Sequence, residues 1–72
     1  MNTVLIVEDE KMIRQGIKSM IQRSGVPVQT IIECSNGQMA LEVLQSQQID
    51  VMFTDIRTVS YTHLTLPTIL LV

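Results

Sequence analysis

The sequence predicts an α/β fold: an open parallel sheet with helices on both faces, built in the order β-α-β-α-β. Three observations carry this. Thr3-Val4-Leu5-Ile6-Val7 and Val51-Met52-Phe53-Thr54 are short apolar runs without polar alternation, as strands buried on both faces require. A third run, Val28 to Glu33, holds the β-branched residues Thr30, Ile31 and Ile32. Stretches of helical periodicity separate the runs. Strands joined by helical crossovers pair in parallel, and such crossovers are almost always right-handed.

The first strand, residues 3 to 7, stops at Glu8-Asp9-Glu10. From Met12 to about Ser24, Ile13, Ile17, Met20 and Ile21 recur at helical spacing, with Arg14, Lys18 and Arg23 off that stripe. Asp9 or Glu10 stands where acids favour a helix N-terminus. Gly25 is placed to cap the C-terminus, with Pro27 just beyond. After the second strand, Ser35-Asn36-Gly37-Gln38 opens a second helix. Ser35 with Gln38 has capping-box spacing, and Asn36 is an equally good cap. Met39, Ala40, Val43 and Leu44 supply its apolar face, and Gln45-Ser46-Gln47-Gln48 is a polar exit. Asp50 precedes the third strand, which ends at Asp55.

Composition bounds the function. With 72 residues there is at most one small domain, burying about 60% of the surface its unfolded chain exposes. A single cysteine makes no internal disulfide, and no Cys/His cluster suggests zinc. A net charge of −2 argues against a nucleic-acid binder. No apolar run approaches the roughly 18 residues of a membrane span, and the acidic N-terminus does not resemble a signal peptide. The expectation is a cytoplasmic chain with a reduced cysteine and no membrane partner. All five basic and all seven acidic residues lie between Glu8 and Arg57, so residues 58–72 carry no charge.

The chemistry rests on carboxylates. Ligand sites in open parallel sheets lie outside the carboxyl ends of the strands, where the strand order reverses. If the first and third strands are neighbours, their ends are about 4.8 Å apart. Glu8, Asp9 and Asp55 would then converge. Clustered anions raise one another's pKa values, and a hard cation such as Mg²⁺ relieves the repulsion through oxygen ligands. The same ion could neutralise an incoming phosphoryl group, with one carboxylate as nucleophile. The plainer alternative is that these acids only cap helices and solvate turns.

Val4-Leu5-Ile6-Val7-Glu8-Asp9-Glu10, Cys34-Ser35-Asn36-Gly37-Gln38-Met39-Ala40-Leu41 and Ile49-Asp50-Val51-Met52-Phe53-Thr54-Asp55-Ile56-Arg57 together resemble the receiver domain of bacterial two-component response regulators. The resemblance covers residues 1 to 57 in register. It implies the N-terminal half of a doubly wound, flavodoxin-like fold with strand order 2-1-3. It also implies transfer of a phosphoryl group from a sensor histidine kinase onto aspartate with Mg²⁺. Asp55 would be the phospho-acceptor, Asp9 the direct metal ligand, and Glu8 a second acid acting through water. Arg57 would lend its backbone carbonyl to the metal. The chain would be a signalling module, not an independent enzyme. Thr54-Asp55-Ile56-Arg57 resembles regulators with a DNA-binding output domain, so DNA would be reached only through a domain outside these residues.

The departures begin after Arg57. Family members continue with Met-Pro, whereas this chain has Thr58-Val59-Ser60. A complete receiver runs to about 120 residues, so residues 1–57 read as a truncated receiver. The family's switch Ser/Thr and phosphate-contacting Lys have no counterpart in residues 58–72, which implies that the 72-residue chain is inactive by itself. Residues 59–68 resemble a translated sequencing adapter: GTC TCT TAT ACA CAT CTG ACG CTG CCG ACG encodes Val59 to Thr68 in order. Residues 58–72 are therefore read as a non-native tail. Tyr61 and His63 within it are accidental, and any strand at Thr68 to Val72 reflects propensity alone. Ending the receiver at the third strand is expected to leave Val51 to Thr54 as an open, aggregation-prone edge.

Three further readings complete the expectations. Cys34 reads as a small core residue, the five methionines as core filler, and Lys11, Arg14 and Lys18 as a solvated helix face. Among other functions, a Mg²⁺-dependent phosphatase of the haloacid dehalogenase type wants Asp-x-Asp where this chain has Glu8-x-Glu10. A nucleotide-binding Rossmann half lacks its Gly-rich turn. The remaining reading is a non-functional artefact.

Overall fold

The computed structural model describes residues 3–54 and 68–71. The first strand, β1 (Thr3–Val7), alternates its side chains between two cores, as the period of a strand requires. Val4 and Ile6 enter one core, and Leu5 and Val7 enter the other. Along the chain follow α1 (Lys11–Arg23), β2 (Thr30–Cys34), α2 (Gly37–Ser46), β3 (Val51–Thr54) and β4 (Thr68–Leu71).

All strand pairs are parallel, in the order β2-β1-β3-β4. The predicted β-α-β-α-β frame and the 2-1-3 order of its strands are both present. α1 covers one face of the sheet through Ile17 and Ile21, packed with Val4, Ile6 and Val51. α2 covers the opposite face through Ala40, packed with Leu5, Val7, Cys34, Ile49 and Met52. Because β1 is central and buried on both faces, it needs apolar residues at every position from Val4 to Val7.

Local chemistry fixes the element ends. Ser24 closes α1, its N–H donating to the Met20 and Ile21 carbonyls. Gly25 follows at φ 82°, a left-handed conformation that any side chain would strain. The predicted glycine stop is thus one residue past the cap. Asn36 caps α2, with its Oδ1 accepting from the Met39 N–H at 2.9 Å. Of the two expected caps, the asparagine is the one used. At the start of α1, Glu10 stands in the capping position, but its side chain makes no capping bond. Asp50 ties the sheet together at its start: its Oδ2 accepts from the Thr3 N–H, and its own N–H donates to the Thr3 carbonyl, each at 3.0 Å.

Four expectations need correction. β2 begins at Thr30, not Val28, although Val28 still packs against the α1 core. Pro27 has no N–H and favours a connecting segment there. The apolar stripe of α1 is narrower than predicted, because Ile13 and Met20 are 47% and 59% exposed. Among the described methionines, only Met52 is core; Met12, Met20 and Met39 are exposed. The expected open edge at Val51–Thr54 is paired, since β4 runs beside β3 with Val51 opposite Thr68. Unpaired strand N–H and C=O groups readily take such a partner. Residues 55–67, with Tyr61 and His63, lie outside the described residues. Among the described residues, no helix is long and apolar enough to cross a membrane.

Candidate functional site

The site begins with the register of β1 beside β3. Val7, the residue before Glu8, pairs with Thr54, the residue before Asp55. Both strands run in the same direction, so their carboxyl ends meet at one edge of the sheet. Asp55 and Arg57 themselves lie outside the described residues.

Glu8 and Asp9 have opposite surroundings. Glu8 is buried and Asp9 is exposed. The Glu8 N–H donates to the Cys34 carbonyl at 3.0 Å, extending the β1–β2 ladder by one residue. Its Oε2 accepts from the Glu10 N–H at 3.1 Å, folding the acidic turn back on itself. Its carbonyl accepts from Arg14 Nη1 at 2.7 Å. A buried carboxylate is tolerated because such partners replace water. Asp9 thus stands in solvent between two residues whose backbones are held.

The donors suit a hard cation. Carboxylate oxygens are the ligands Mg²⁺ prefers, and it needs only one or two of them because it retains waters. Among the described residues, no group of three His, Cys, Asp or Glu gathers at one point.

Arg14 is the residue that sequence reasoning missed. It was expected on a solvated face with Lys11 and Lys18. Its side chain is instead only 16% exposed and also meets Glu33 Oε1 through Nε at 3.4 Å. Lys18 pairs with the second oxygen of Glu33 at 3.2 Å, and Gln15 donates to the first. Only Lys11 is exposed as expected. The available signal was Glu33 itself, an acid following Ile31 and Ile32 inside a strand, paired in register with Ile6.

Cys34 is a core residue, as expected. It ends β2 opposite Val7. Burial pushes its thiol pKa above 9.0; Arg14 opposes that shift and Glu42 adds to it.

The chain resembles known proteins over the same segment. The family model of the response regulator receiver domain matches residues 4–60. An uncharacterized response regulatory protein of Staphylococcus epidermidis (strain ATCC 12228 / FDA PCI 1200) is 39% identical over 54 residues. That alignment covers 75% of this chain and 22% of the relative. The transcriptional regulatory protein HptR of Staphylococcus aureus (strain NCTC 8325 / PS 47) is 37% identical over 54 residues, covering 75% of this chain and 21% of the relative. The chain thus spans about a fifth of the length of these curated relatives. No solved structure matches it. A family match over most of the chain, on a β-α-β-α-β frame with acids at the end of its central strand, leads to one conclusion: the chain belongs to the response regulator receiver domain family.

Proposed function

We propose that residues 1–57 receive a phosphoryl group from a sensor histidine kinase onto Asp55. The observation that carries this reading is the register of Val7 beside Thr54, which brings the acidic turn and the end of β3 to one edge. Glu8, Asp9, Asp55 and the backbone carbonyl of Arg57 would hold Mg²⁺. When bound, the cation supplies positive charge to the phosphoryl oxygens. The Asp55 carboxylate forms the new bond to phosphorus as the phosphorus–nitrogen bond of the phosphohistidine breaks, and the imidazole leaves with the electron pair and takes up a proton. Burial of Glu8 and exposure of Asp9 support Asp9 as the direct ligand and Glu8 as the acid acting through water.

The chain acts as a signalling module and turns over no substrate of its own. It works in the cytoplasm, and DNA is reached only through an output domain elsewhere. Residues 58–72 contain no lysine to contact phosphate. Those residues derive from adapter sequence. The haloacid-dehalogenase reading is weakened by Glu10, whose side chain is exposed and whose N–H is given to Glu8.

The test begins with re-amplification of the locus from genomic DNA and expression of the chain it encodes. A frame continuing Met-Pro after Arg57 is expected; finding the Val59 to Val72 codons in the genome would overturn the adapter assignment. That product should bind beryllium fluoride saturably with Mg²⁺, and Asp55→Asn should abolish binding. Undiminished binding by the variant would refute Asp55 as acceptor.

A further inference from the structure

The geometry points to Arg14 as a positioning residue for the acidic turn, held in place by Glu33. This rests on the reading of Glu8 and Asp9 as cation ligands. The Arg14 side chain reaches the turn through Nη1, which donates to the Glu8 carbonyl at 2.7 Å; its backbone N–H makes the first helical bond, to the Glu10 carbonyl at 2.9 Å, as any residue but proline would there. With the Glu8 N–H on Cys34 and the Glu10 N–H on Glu8, the peptides on both sides of Asp9 are fastened.

Glu33 keeps the guanidinium there. It stands near the end of β2, and three side chains from neighbouring turns of α1 (Arg14, Gln15 and Lys18) converge on its carboxylate. A planar guanidinium can serve a carbonyl and a carboxylate at once because its N–H donors are fixed in a fork. Lysine, with a single charged nitrogen, is less suited to bridging the two. Glu33 also offsets the positive charge of Arg14, which would otherwise repel a cation at the turn.

The two roles open to Arg14 predict opposite signs. If Arg14 acted only through its charge, removing it would strengthen cation binding. If it positions the turn, removing it weakens binding. Partners that orient metal ligands are typically worth about 10- to 100-fold in affinity.

The experiment is calorimetric titration of Mg²⁺ into the chain as its locus encodes it. Arg14→Met should weaken binding about tenfold, and Arg14→Lys should recover only part of the loss. Glu33→Gln should weaken binding as well, and the double variant should lose less than the two single losses combined. Far-ultraviolet circular dichroism identifies variants that fail to fold; for these, Arg14→Lys and Glu33→Gln remain as the milder pair. Unchanged or tighter Mg²⁺ binding by folded Arg14→Met would overturn the positioning role while leaving the site reading intact. Failure of the parent chain to bind Mg²⁺ would overturn the site reading, and this inference with it.

Discussion

Asp50 shows how much a single side chain does at the start of the sheet. Its carboxylate accepts from the first described N–H of β1 while its own N–H returns a bond to Thr3. Hydrogen bonds to charged groups contribute more than neutral ones, so Asp50→Ala should cost about 2 kcal/mol in urea unfolding. Cys34 gives a pH dependence of known sign. Its folded-state thiol pKa is raised by burial. The stability it contributes is complete below the ordinary thiol value of 9.0 and is lost as pH rises through the folded value. The unfolding midpoint should therefore fall in alkaline buffer, and Cys34→Ala should flatten that fall. The acids Glu8 and Asp9 were legible as site candidates because they interrupt an apolar run at a strand end. Their different burial was not, and neither was Arg14 reaching a carbonyl six residues earlier. No sequence period encodes that side-chain-to-backbone contact.

At the scale of elements, β1 and β3 have the bounds their apolar runs predict, because strands buried on both faces favour apolar residues, with only threonine at one end of each. The edge strand β2 was less legible: its side chains are only partly buried up to Cys34, so its polar and apolar ends read alike. The stripe of α1 was overcounted for a related reason. Helical spacing marks residues that could face a sheet, whereas the sheet here takes only Ile17 and Ile21 deeply. The central strand should dominate stability. Leu5 is fully buried among Cys34, Ala40 and Met52, so Leu5→Ala should cost about 2–5 kcal/mol, measured by chemical denaturation. An exposed position such as Gln38 should change stability by less than about 0.5 kcal/mol.

Across the whole molecule, the placement of the site follows from topology more than from any one contact. Parallel strands bring all their carboxyl ends to one edge, and the order β2-β1-β3 sets the acidic turn between Cys34 and Thr54. Cys34 supplies the carbonyl that anchors Glu8. Thr54 leads directly into Asp55. The strand order was implied by resemblance, because alternating elements alone allow several orders. The pairing of β4 with β3 was legible only as strand propensity in residues 68–72, since its partner is set by the edge that β3 offers. The most direct measurement of the site's role is intact-mass spectrometry of the locus-encoded chain after incubation with a small acyl phosphate and Mg²⁺. One added phosphoryl group, not formed when Mg²⁺ is omitted and absent from Asp55→Asn, is the expected result. A phosphoryl group that still appears on the Asp55→Asn chain would contradict Asp55 as the acceptor.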